Sequence, residues 1–61
     1  MMTEEMIKQV GLAQSASACS GKTIYAYTNG QEVRSCGYRN DDLRKQGYRI
    51  CAVFYGGKKI H

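Results

Sequence analysis

Residues 23–36, TIYAYTNGQEVRSC, predict a β-hairpin. Asn29-Gly30 separates two runs of alternating residues, and this dipeptide favours a type I′ turn, which requires positive φ at both central positions. A two-residue loop would set this register: Thr28 opposite Gln31, Tyr27 opposite Glu32, Ala26 opposite Val33 and Tyr25 opposite Arg34. The two faces would carry Ile24, Ala26, Val33 and Ser35 on one side, and Tyr25, Tyr27, Glu32, Arg34 and Cys36 on the other.

A helix is predicted before the hairpin, over residues 3–18. Thr3 is a suitable N-cap, because its hydroxyl can accept a hydrogen bond from a backbone N–H of the first turn. Met6 and Ala13 recur at helical spacing and would face the core. Gly21 is a suitable residue to end the helix, because glycine adopts the left-handed conformation that a C-cap requires.

Residues 16–23, ASACSGKT, match a permissive form of the nucleotide-binding P-loop, but the predicted order of elements argues against that function. A P-loop follows a strand and opens a helix, so that backbone N–H groups hold the phosphates. Here a helix comes before the motif, and Lys22 and Thr23 begin a strand. The same stretch resembles a signal-peptide cleavage site before Cys19, but Lys8 and other polar residues interrupt any apolar run. We therefore expect no nucleotide cofactor and no export.

A second helix and two further strands are predicted after the hairpin. Residues 40–47, NDDLRKQG, have an N-cap asparagine, acids first and bases last, and Leu43 as their one apolar residue. Residues 48–55, YRICAVFY, alternate as an interior strand with Ile50, Ala52 and Phe54 on one face. Gly56-Gly57 would turn the chain into a short edge strand over residues 58–60.

This order of elements predicts an α+β fold, with a small antiparallel sheet of three or four strands. The N-terminal helix would pack on the sheet face formed by Ile24, Val33, Ile50 and Phe54, and the second helix would lie on the surface. The 61 residues are expected to form a single domain over 1–61.

Cysteine and histidine usage gives no support for a metal site or an enzyme. The chain has three cysteines and a single histidine, His61. An odd number of widely spaced cysteines is unsuited to a disulfide framework and indicates a reducing, cytoplasmic setting. Asp41 and Asp42 are adjacent, so on a helix they would point about 100° apart and not act as facing carboxylates. We expect no catalytic residues, no metal and no cofactor.

Charge and aromatic residues point to a binding surface. The net charge is +4, and residues 33–61 carry seven Lys or Arg against two Asp. The predicted binding surface, on the tyrosine-bearing face of the sheet and around the second helix, comprises Tyr25, Tyr27, Arg34, Arg39, Arg44, Lys45, Arg49, Tyr55, Lys58 and Lys59. Tyrosine and arginine are enriched at protein interfaces, and they also stack on bases and neutralise phosphates.

Three interpretations of this surface stay open. The first is a small non-enzymatic protein that occludes or regulates a protein partner, as small phage and mobile-element products do; this analogy rests on size alone. The second is a nucleic-acid-binding accessory protein that uses the same face. The third is a solvated sheet face on which tyrosine and arginine pack as cross-strand pairs. No membrane partner is expected, and self-association would suit so small a core.

Overall fold

The computed structural model describes residues 3–61 and has the predicted α+β architecture. The elements in chain order are α1 (Glu4–Ser20), β1 (Thr23–Thr28), β2 (Val33–Cys36), α2 (Asp41–Lys45), β3 (Arg49–Tyr55) and β4 (Lys58–Lys59). The strands form one antiparallel sheet in the order β2-β1-β3-β4. β3 is therefore an interior strand, as predicted, and β2 and β4 are the edges.

α1 has the predicted N-cap and C-cap residues, and it ends at Ser20, two residues beyond the predicted residue 18. The Thr3 hydroxyl accepts a hydrogen bond from the Met6 N–H at 3.2 Å, and Gly21 ends the helix with φ at 67°. Met6 and Ala13 are buried against Ala26, Val33, Ala52 and Phe54 of the sheet. We call this side of the sheet the helix-covered face, and the other side the opposite face.

The β1–β2 loop is longer than predicted, so the predicted register is wrong. Tyr27 pairs with Arg34 and Thr28 with Val33, which leaves residues 29–32 as a four-residue loop. Asn29 has no positive φ, so the turn is not type I′; its side-chain oxygen instead accepts hydrogen bonds from Gln31 N–H and Glu32 N–H, both at 2.9 Å. The register moves by two residues, and side chains alternate with a period of two, so the face assignment of the strand residues survives.

β3 contains a β-bulge, so the sheet face predicted for Ile50 is wrong. Ala26 pairs with Ala52, but Tyr27 pairs with Ile50, so Cys51 is an extra residue on β3. The bulge moves Ile50 onto the opposite face, where it packs near Tyr27, and Cys51 packs against the helix-covered core. The prediction that Ile50 lies under α1 is therefore wrong.

The Ala/Ser part of α1 holds the β3–β4 turn. Ser17 is fully buried, and its hydroxyl accepts a hydrogen bond from Gly57 N–H at 2.9 Å. A Cβ on Gly57 would lie 2.9 Å from the Ala18 Cβ, and the φ of Gly57 is 86°. Small residues on α1 and glycine in the turn are thus both required for the helix to approach the sheet this closely.

Candidate binding surface

α2 covers part of the opposite face and is fixed there by Tyr27. Tyr27, Leu43 and Tyr48 form a second buried cluster, with Tyr27 at 0% exposure. The Tyr27 hydroxyl accepts a hydrogen bond from Asn40 N–H at 2.8 Å, and the Asn40 side chain caps α2 by accepting from Leu43 N–H at 3.2 Å. Tyr27 was predicted to be an exposed binding residue. The structure corrects this: its ring and hydroxyl support α2 and are not available to a partner.

Three of the predicted arginines converge beside α2. Arg39, Arg44 and Arg49 line a hollow of about 220 Å³, together with Tyr27, Asp41 and Ile50. We call it the arginine hollow. All three arginines are exposed, and Asp41 is the one carboxylate that lines the hollow. Within the described residues 3–61, the ion pair that forms is Arg34–Glu32, which lies elsewhere. The arginine hollow therefore carries an excess of positive charge.

A second groove adjoins the arginine hollow on the opposite face. We call it the apolar groove after its aliphatic residues, although Thr23, Arg39 and His61 also line it. It has a volume of about 380 Å³, and the residues that line it include Tyr25, Arg39, Ile50, Val53, Ile60 and His61. Arg39 and Ile50 line both depressions, so the two adjoin. Tyr25 pairs with Val53 across β1 and β3, which makes the middle of the floor rigid. The Ile60 N–H donates to the Val53 carbonyl at 2.8 Å, which fixes the groove wall after β4.

Arg34 belongs to a separate polar cluster at the β2 edge. Its Nε donates to Glu32 at 3.1 Å, its guanidinium lies 5.8 Å from the centroid of the Tyr48 ring, and the Tyr48 hydroxyl also donates to Glu32. The hydrogen bond from Tyr48, followed by the bond and charge of Arg34, holds the pKa of Glu32 below its ordinary value. The same bond to Glu32, followed by burial, raises the pKa of Tyr48. Arg34 is thus engaged within the protein and does not line the arginine hollow.

The other predicted binding residues do not form one continuous patch. Lys45 is exposed on α2 beside Asp41 and Arg44. Tyr55 is 56% exposed at the end of β3, where it pairs with Lys58. Lys58 and Lys59 form the edge strand β4. Arg34 on β2 is three strand spacings from β4, which is about 14 Å.

Sequence reasoning missed the groove wall and floor. Ile50 was assigned to the wrong face because nothing in YRICAVFY indicates a bulge. Val53 was not predicted to be part of a site. The one signal in the sequence was Ile60, an apolar residue directly after the two lysines of the predicted edge strand. In the structure its side chain is 59% exposed.

The cysteines lie apart from the groove. Cys36 packs with the Tyr27 cluster and Cys51 with the helix-covered core, so these two strand cysteines lie on different faces of the sheet. Burial raises the pKa of the Cys51 thiol, which keeps it protonated. Across residues 3–61 no group of three or more His, Cys, Asp or Glu side chains is close enough to hold a metal ion.

No helix within the described part of the chain has the length and apolar character needed to cross a membrane. Comparison of the chain with protein-family models, with curated proteins and with solved structures finds no match.

Proposed function

We propose that this chain is a non-enzymatic binding protein, and that it occludes or regulates a protein partner through the apolar groove and the arginine hollow. The observation that supports the proposal is that the two depressions adjoin and share Arg39 and Ile50, which places aliphatic side chains beside a cluster of arginines. Apolar centres with arginine near them are typical of protein interfaces.

The character of the floor favours a protein partner over nucleic acid. Stacking of bases requires exposed aromatic rings. Tyr27 and Tyr48 are buried, Tyr25 is half-buried in the floor, and neither Tyr38 nor Tyr55 lines the groove. The exposed Ile60 and the half-buried Ile50 offer aliphatic surface instead, which suits the side chains of a protein segment.

A pair of isoleucines with equal exposure allows a matched test. Ile60 lines the groove, whereas Ile7 lies on α1, and both are 59% exposed. A photo-crosslinking residue, benzoylphenylalanine, is placed at either position, and native cells are irradiated. We expect a discrete protein adduct that withstands nuclease from Ile60 and none from Ile7.

Four outcomes of this experiment would contradict the proposal, and the first three concern the adducts themselves. They are adducts that disappear with nuclease, equal adducts from both positions, and no adduct from Ile60. The fourth is an adduct between two copies of this chain, which would identify the partner as a second copy and contradict a regulatory role on another protein.

A further inference from the structure

The two depressions together define the chemistry of the segment that would occupy them. Arg39, Arg44 and Arg49 line one hollow of about 220 Å³, with Asp41 as its one carboxylate. Like charges held together repel, and the structure provides no ion pair for these arginines within residues 3–61. An anionic group that enters the arginine hollow would relieve this repulsion.

The shape of the arginine guanidinium favours a carboxylate as the anion. A guanidinium binds a carboxylate through two parallel N–H bonds, and such charge-assisted bonds are stronger than neutral ones. Arg44 is carried by α2 and Arg49 opens β3, so their backbones are held by regular structure. Tyr27 and Asn40 fix α2 to the sheet, as described above, and thereby fix the position of the hollow relative to the groove.

The apolar groove adjoins the arginine hollow, so one bound segment could reach both. Arg39 and Ile50 line both, and alternate residues of an extended segment are about 6.6 Å apart. Ile60 is exposed at 59% although it lines the groove, so an apolar side chain of the partner would bury it.

We infer that the partner of this surface is an acidic, apolar protein segment, in which an aliphatic or aromatic side chain enters the apolar groove. An Asp or Glu within two residues of that side chain enters the arginine hollow. This inference rests on the proposed function and adds the chemistry of the partner to it.

The test uses a random seven-residue peptide library displayed on phage, selected against the full chain. We expect enrichment of sequences with Leu, Ile, Val, Phe or Tyr within two positions of Asp or Glu. The best peptide is then labelled with fluorescein and its affinity measured by anisotropy. Replacement of its acidic residue by Asn or Gln should weaken binding about tenfold or more, and so should a rise in salt from 50 to 500 mM.

Two variants of equal net charge separate the hollow from general electrostatics. Arg44→Gln/Arg49→Gln and Lys8→Gln/Lys22→Gln each remove two positive charges from the +4 chain. The arginine pair should weaken the peptide about tenfold or more, and the lysine pair less than threefold. Ile60→Ser should weaken the same peptide without changing its preference for an acid over its amide. All four positions substituted for charge are exposed, so folding is expected to survive and is checked by circular dichroism.

This inference would be overturned if the selected peptides lack acidic residues, or if the two charge variants lose peptide affinity equally. Either result is compatible with a protein crosslink from Ile60, so the proposed function would stand. Loss of that crosslink as well would overturn the proposed function. An unlabelled ten-nucleotide oligo-dT serves as competitor. If oligo-dT displaces the labelled peptide at a lower concentration than the unlabelled peptide does, the inference is overturned in favour of nucleic acid.

Discussion

Tyr27→Phe removes one hydroxyl from the centre of the second core cluster and keeps the ring. Tyr27 is 0% exposed, and its hydroxyl accepts the Asn40 N–H at 2.8 Å where the chain enters α2. Without this hydroxyl, the part-buried Asn40 N–H has no hydrogen-bond partner, which lowers the free energy of unfolding by about 1–2 kcal/mol. A chain of 61 residues is expected to have a free energy of unfolding of roughly 3–9 kcal/mol, so this loss is readily measured.

Urea denaturation followed by circular dichroism measures the effect. With a slope of about 1 kcal/mol per molar urea, the midpoint should fall by about 1–2 M at unchanged slope. Tyr55→Phe is the control, because Tyr55 is 56% exposed and its change should stay within about 0.5 kcal/mol. Equal midpoints for the two variants would refute the argument that Tyr27 holds α2, and with it the support for the arginine hollow. Tyr27→Ala is less informative, since loss of the ring would cost about 3–5 kcal/mol and threaten folding itself.

Three further predictions concern the α1–turn contact, the polar cluster and the rejected P-loop. Gly57→Ala should lower the free energy of unfolding by about 1–3 kcal/mol, and by more than Gly56→Ala does. Both glycines have positive φ, but only a Cβ at Gly57 meets Ala18. Gly11→Ala has open space around it and should raise the free energy of unfolding by about 0.5–1 kcal/mol. Equal effects at positions 56 and 57 in thermal unfolding would contradict the close contact. The pKa of Glu32 is lowered in the folded state. Glu32 therefore contributes to stability above the ordinary pKa of 4.5, and this contribution is lost as the pH falls below that value. The stability difference between the wild type and Glu32→Gln in urea should therefore be constant near neutral pH and shrink below 4.5, and a difference that stays constant to pH 2 would argue against this pairing. Lys22→Ala should change stability by less than about 0.5 kcal/mol, and calorimetric titration with ATP–Mg²⁺ should give no saturable binding to either form; saturable binding lost in the variant would restore the P-loop interpretation.

The helix ends, the strands and the fold class were predictable from the sequence, because they depend on short-range rules. Thr3 and Asn40 cap helices through bonds to residues three positions away, and Gly21 adopts the left-handed conformation locally. The alternation in TIYAYT and its partner strand assigned the hairpin faces correctly even though the loop length was wrong. A register error of two residues leaves every side chain on its own side of the sheet.

The binding surface depended on contacts that no local pattern encodes. The bulge at Cys51 arises from pairing between β1 and β3, which are more than twenty residues apart, and it brings Ile50 beside Tyr27. The burial of Tyr27 depends on where α2 lies, and that in turn depends on Leu43, Tyr48 and a single hydrogen bond to Asn40. The sequence by itself determined which residues are basic and which strands alternate. Only the tertiary structure decided that Arg39, Arg44 and Arg49 share one hollow, because their convergence requires the sheet, the loop before α2 and α2 itself to be packed together.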